Sequence, residues 1–257
     1  MGSHGQTPDF SSRPSSRFPK SLGGDVHVWR LFLDLPVDGV QALRGFLAED
    51  EIERADRFHQ ETDRTRFIIG RGLLKCLLAR YLNVRPNEIR FQYNPWGKPY
   101  LSPEIHPSAP MFNFSHSQDL ALCALSRDRM VGVDIEHVRP MAEYPDIAER
   151  FFSTQEIDAI AARPEPMRQR AFFSCWTQKE AFVKALGQGL SIPLNRFELP
   201  VGSPDITSVT YERWGSLETS RWSLRALNLG ADYVGAIAVE GDIPQVQCWD
   251  WKDYSCS

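Results

Sequence analysis

Two stretches of helical periodicity, from about Thr62 to Leu82 and from about Glu165 to Leu186, start roughly a hundred residues apart, and each is followed by several short runs that read as strands. A long amphipathic helix must bury its apolar stripe against another layer, and short strands supply one. Helix then strands, stated twice, constrains this chain to an α+β class with two halves. In the first half Val26 to Leu33 reads as an opening strand, followed by a helix across Leu43, Phe46, Leu47 and Ile52. The long helix then presents Phe67, Ile68, Leu74, Leu77, Leu78 and Tyr81 at helical spacing. Strands are expected at Ile89 to Tyr93, Met111 to Phe114, Asp119 to Ser126 and Val131 to Glu136, with a tight turn at Asn94-Pro95-Trp96-Gly97-Lys98-Pro99.

The second half opens on a capping box, Ser153-Thr154-Gln155-Glu156, and its long helix stops at Gly187-Gln188-Gly189. Strands are expected at Arg196 to Leu199, Ile206 to Tyr211, Trp222 to Leu227, Tyr233 to Val239 and Val246 to Trp249. The seam falls near Glu136 to Pro140, dividing the chain into residues 25–136 and 137–257. Residues 1–24 are rich in Ser, Pro, Gly and Arg without periodicity, and begin Met1-Gly2-Ser3-His4 like an expression-tag remnant. They are expected to be disordered.

An apolar content of 42% in 257 residues fills a core, and no apolar run approaches the ~20 residues that span a bilayer. The net charge of −4 gives no general attraction to nucleic acid. Five cysteines, an odd number with no C-x-x-C and no signal peptide, point to free thiols and a cytoplasmic location. Positive charge is local: from Arg54 to Arg90 nine Lys or Arg stand against four acids, either a solvated helix face or a dock for an anion.

Val131-Gly132-Val133-Asp134-Ile135-Glu136 carries the chemistry. With period two, Val131, Val133 and Ile135 share one face, while Gly132, Asp134 and Glu136 share the other. Paired carboxylates beside a glycine that leaves room for a ligand suit a hard cation carrying phosphate, although a half-buried strand also presents acids to water. On the second long helix Trp176, Glu180 and Lys184 form an i, i+4, i+8 row, which is either surface decoration or a third carboxylate and a lysine for the same site. Asn113-Phe114-Ser115-His116-Ser117 adds small polar groups and a histidine at a strand end. No P-loop, dinucleotide-binding glycine motif or nucleophile elbow is present.

Four blocks in order, Gly97-Lys98-Pro99, Asn113 to Ser117, Gly132 to Glu136, and Trp176-x-x-Lys179-Glu180-x-x-x-Lys184, resemble the 4′-phosphopantetheinyl transferases of the larger Sfp type, over about Arg54 to Leu190. The resemblance implies a pseudo-twofold pair of halves, each a small, mainly antiparallel sheet with a long packed helix, and coenzyme A bound in the cleft between them. It implies Mg²⁺, or Mn²⁺ in its place, on Asp134, Glu136 and Glu180. Catalytic roles would fall to Glu180, Lys184 and Asp134, with Lys184 on the pyrophosphate. Ser115 and His116 would lie by the 3′-phosphate with Arg54 and Arg66, and Gly97, Lys98 and Pro99 would border the adenine. Glu51 departs from the pattern, standing where some relatives carry a basic residue. The implied activity moves phosphopantetheine from coenzyme A to a serine of apo acyl or peptidyl carrier proteins, with a monomer completing the cleft within one chain. Arg71, Lys75 and Arg80 are candidates for steering the acidic carrier. A different Mg²⁺-dependent phosphoryl-transfer or phosphodiester-cleaving enzyme, or a non-catalytic coenzyme A-binding module, is the alternative.

Overall fold

The computed structural model describes residues 8, 10, 18–19, 21–189, 192–201, 207–212, 219–242 and 245–251. Met1-Gly2-Ser3-His4, Leu190, Ile206 and Cys256 lie outside them. In chain order the elements are β1 (Val26–Phe32), α1 (Val37–Arg44), α2 (Glu49–Asp56), α3 (Glu61–Leu82), β2 (Phe91–Tyr93), β3 (Pro99–Leu101), β4 (Met111–Ser117), β5 (Leu120–Ser126), β6 (Val131–His137), α4 (Tyr144–Phe151), α5 (Thr154–Ala161), α6 (Glu165–Leu186), β7 (Thr207–Glu212), β8 (Thr219–Leu227), β9 (Tyr233–Glu240) and β10 (Val246–Trp251).

Two four-stranded sheets, ordered β10-β1-β5-β4 and β6-β9-β8-β7, each carry one long helix, as the pseudo-twofold α+β class requires. Helix α3 packs Leu73, Leu77 and Leu78 with Trp29, Leu31, Cys123 and Leu125 of the first sheet. Helix α6 packs Ala181, Phe182 and Ala185 with Trp222, Leu224, Ala236 and Ala238 of the second. The sheets bury apolar faces against each other, Val26, Val28, Leu122 and Ala124 meeting Val131, Val133, Ile135, Ile237 and Val239. All pairings are antiparallel except that of β1 with β10. Both long helices stop at a left-handed residue, Asn83 (φ 54°) and Gly187 (φ 69°), types that tolerate that conformation.

Sheet membership does not follow chain order. β6 pairs with β9, whereas β10, from the far end of the chain, lies beside β1. A division after Glu136 thus cuts one residue short of the end of β6. Two described residues of the N-terminal segment, Phe10 and Phe18, pack against the core. Phe10 is buried between the sheets and Phe18 stacks on Trp29 at 5.2 Å, two aromatics able to bury area despite their polar surroundings.

Three expectations are corrected. The helix across Leu43 to Ile52 is two helices, because α1 stops at Arg44 and the Glu51 side chain accepts from the Ala48 amide (2.8 Å) to start α2 afresh. Arg196 to Leu199 is no strand: Leu194–Arg196 is a 3₁₀ turn, and the Leu194 and Phe197 carbonyls accept from Lys179 Nζ at 2.7 Å each. Cys123 and Cys175 are free and buried and Cys248 is buried, but Cys76 is disulfide-bonded, a tertiary proximity that cysteine spacing does not reveal.

Candidate active site

The site forms where the edges of the two sheets meet. β4 closes one end of the first sheet and β6 one end of the second. Edge strands leave amides unpaired, and here β4 side chains take them: Val133 N donates to Asn113 Oδ1 (2.8 Å) and His137 N to Ser117 Oγ (3.1 Å). The period of two aims every other β4 residue at β6. Ser115 Oγ donates to Asp134 Oδ1 (2.8 Å) and Ser117 Oγ to Glu136 Oε2 (2.9 Å). Asn113, Ser115 and Ser117 thus orient the strand and its two acids.

Helix α6 lies over the same face of β6. Lys184 Nζ, at its last turn, donates to Asp134 Oδ1 (2.5 Å) and Ser115 Oγ (2.9 Å). Burial raises the Glu180 carboxyl above its ordinary range; the charge of Lys184 opposes this, and those of Asp134 and Glu136 add to it. Burial likewise raises Glu136, opposed first by its Ser117 hydrogen bond and reinforced by Asp134. Asp134, Glu136, Glu180 and Lys184 therefore act on one another across the β6–α6 junction.

Gly132 permits this approach, though not as expected. A Cβ there would lie 2.0 Å from Ala181 O and 2.4 Å from Ala185 N, so the helix backbone, rather than a ligand, fills the space. Helix and strand meet at glycine–alanine contact distance, which brings the Glu180 and Lys184 side chains over the carboxylates.

Among the described residues no group of three or more His, Cys, Asp or Glu lies close enough to hold a metal ion. The donor chemistry nonetheless suits a hard cation. Asp134 Oδ2 and Glu180 Oε1 are buried with no hydrogen-bond partner, and all three acids offer oxygen. Mg²⁺ usually keeps water and substrate oxygens in its octahedron, so a tight protein cage is not required.

The even-numbered β4 residues face the other way. Phe114 and His116 line a cavity of about 210 Å³ with Arg54, Arg66, Gly97 and Pro99. Burial lowers the His116 pKa, with Lys184 and Arg66 adding to the effect. Ser115 and His116, adjacent in sequence, are thus separated onto the carboxylate and arginine sides. A second cavity of about 220 Å³, lined by Trp96, Gly97, Lys98, Pro99, Phe114 and Lys184, adjoins it through their shared residues.

The Lys98 ammonium donates to Val131 O (3.3 Å) and Ala185 O (3.0 Å), with burial lowering its pKa to about 8. It ties the β2–β3 turn to the start of β6 and the end of α6, aided by Asn94 Nδ2 donating to Gly187 O (2.7 Å). Arg71, Lys75 and Arg80, the candidates for steering, each pack against groups of this chain. Lys75 is wholly buried on Glu51 (2.5 Å), Arg71 is one-tenth exposed beside the same acid (3.6 Å), and Arg80 stacks on Trp251 (4.9 Å).

Sequence reasoning missed the hydrogen-bonding parts played by Asn113, Ser117 and Asn94. The alternation Asn-x-Ser-x-Ser was a usable signal for the first two. The fully buried Lys179 binds Glu156 (2.8 Å), whose other contacts cap α5 through Ser153 N and hold Leu199 N, so it anchors the helix that carries Glu180.

The family described as the 4′-phosphopantetheinyl transferase superfamily matches residues 130–238, and that described as 4′-phosphopantetheinyl transferase, N-terminal, matches residues 38–128. The chain is 38% identical over 231 residues to the 4′-phosphopantetheinyl transferase HetI of Nostoc, covering 90% of this chain and 94% of that one. It is 30% identical over 178 residues to the 4′-phosphopantetheinyl transferase Sfp of Bacillus subtilis (68% and 76% covered). It is 29% identical over 221 residues to the L-aminoadipate-semialdehyde dehydrogenase-phosphopantetheinyl transferase of Rattus norvegicus (81% and 71% covered).

Proposed function

The chain belongs to the 4′-phosphopantetheinyl transferase family, enzymes that transfer phosphopantetheine to carrier proteins, and on that premise we propose that its donor is coenzyme A, its acceptor a serine of an apo acyl or peptidyl carrier protein, and its cation Mg²⁺. The observation that carries this reading is the meeting of Asp134, Glu136, Glu180 and Lys184 at the β6–α6 junction, with two carboxylate oxygens buried and unpartnered.

Asp134, Glu136 and Glu180 would hold Mg²⁺, which when bound neutralises charge on the pyrophosphate and on the departing phosphate. Lys184, already bridging Ser115 and Asp134, lies where it can turn an ammonium proton toward a pyrophosphate oxygen. Glu180 is the candidate base. Desolvation makes its carboxylate more basic than an ordinary glutamate, which favours accepting the proton of an incoming serine hydroxyl. The serine oxygen forms its bond to the β-phosphorus as the bridging P–O bond breaks. The electron pair leaves with 3′,5′-ADP, and the serine proton stays on Glu180 until solvent takes it.

Arg54, Arg66 and His116 line the cavity proposed for the 3′-phosphate, and Gly97 and Pro99 form the rim proposed for the adenine. Both sheets and both long helices come from one chain, which supports a monomer as the working unit. The test is incubation with coenzyme A, Mg²⁺ and an apo carrier protein, read by intact mass. The expected result is one phosphopantetheine on the carrier serine and release of 3′,5′-ADP; an unmodified carrier would refute the assignment.

A further inference from the structure

The cavity between α3 and β4 holds a third guanidinium beside Arg54 and Arg66, that of Arg71. Its side chain is nine-tenths buried, and Nη1 is fully buried without a hydrogen-bond partner. The group is held firmly. Cζ sits 4.6 Å from the Phe91 ring centroid and 5.7 Å from that of Phe67, and Nε lies 3.6 Å from Glu51 Oε1. Glu51 is itself fixed by Lys75 Nζ (2.5 Å) and the Ala48 amide (2.8 Å), so it supports the Nε side of Arg71 and leaves Nη1 unused.

A buried donor on a charged group is costly to leave unpaired, and an anion entering the cavity would satisfy it. None of the residues lining the cavity is a carboxylate, so it offers a cation nothing and an anion several donors. The donor molecule of the proposed reaction has two anionic centres. Its pyrophosphate belongs with the carboxylates and their cation; its 3′-phosphomonoester, near two negative charges at neutral pH, needs none and matches planar guanidinium donors.

We propose that Arg71 is a specificity-determining residue whose Nη1 donates to the 3′-phosphate of coenzyme A and thereby distinguishes it from donors that lack this group. This rests on the coenzyme A reading given above. Arg54, which makes no ion pair among the described residues and lies over the same Phe67 ring (5.3 Å), supplies the neighbouring charge.

The test is calorimetric titration of adenosine 3′,5′-bisphosphate and of 5′-AMP into the wild type, Arg71→Met and Arg71→Lys. Methionine keeps an unbranched side chain in the same setting while removing the guanidinium over Phe67 and Phe91. Loss of a charge-assisted hydrogen bond should weaken the bisphosphate roughly ten- to a hundredfold in Arg71→Met, with 5′-AMP changing less than about threefold and lysine restoring part of the difference. Equal weakening of both nucleotides, or no weakening of either, overturns the proposal, because a packing defect does not read the 3′-phosphate. A wild type that binds the bisphosphate no more tightly than 5′-AMP overturns it as well. If the wild type binds neither nucleotide and fails to transfer from coenzyme A, the parent reading falls and takes this one with it.

Discussion

Gly132→Ala concentrates the link between packing and function in one methyl group. The added carbon would stand 2.0 Å from Ala181 O, 2.4 Å from Ala185 N and 2.8 Å from Ala185 Cα. These are backbone atoms of a buried helix, so no side chain can swing aside. To restore ordinary contact at about 3.4 Å, α6 and β6 must part by about 1.4 Å. Overpacking of this kind costs about 1–3 kcal/mol. The same parting moves Glu180 and Lys184 away from Asp134 and Glu136, and a misplacement of about 1 Å at a reacting centre can cost on the order of a hundredfold in rate. Urea unfolding measures the first effect and intact-mass transfer kinetics the second. A variant within about 0.5 kcal/mol and threefold of wild type would refute the claim that strand–helix contact distance sets the site.

Other outcomes follow from single groups. Glu180→Gln should slow transfer on the order of a hundredfold or more while the carrier still binds, and undiminished transfer would remove Glu180 as base and ligand. Lys179→Met strands the buried Glu156 charge and should cost about 3–5 kcal/mol in urea, whereas Lys179→Met with Glu156→Leu should cost less than the two single changes summed. His27, held neutral by burial with its pKa lowered to about 4 and bonded through Nδ1 to Tyr81 OH (2.6 Å), binds a proton more readily unfolded than folded. Stability should therefore fall as pH drops from about 6.5 to about 4, by about 3 kcal/mol at most, and His27→Gln should flatten that part of the profile.

The two long helices were legible because periodicity and stop signals agree over many turns, and α6 spans the expected Glu165–Leu186. The common face of Asp134 and Glu136 was legible for the same reason at period two. The sheet order was not, since nothing local to Val246–Trp251 says that it pairs with Val26–Phe32 at the other end of the chain. A count of charges misled for Lys75 and Arg71, because composition does not reveal that Lys75 pairs with Glu51 inside the fold and that Arg71 lies beside the same acid. The row of Trp176, Glu180 and Lys184 fixed a helix face, but only tertiary packing says which strand lies beneath it.

The central claim is that Asp134 and Glu136 from a strand and Glu180 from the helix above it act as one cation site. Electron paramagnetic resonance of Mn²⁺ titrated into the protein with coenzyme A present counts bound ions directly. One bound Mn²⁺ per chain, displaced by Mg²⁺ and lost in Glu180→Gln, is the predicted result; a wild type that binds none, or a Glu180→Gln variant that binds as tightly, would contradict it.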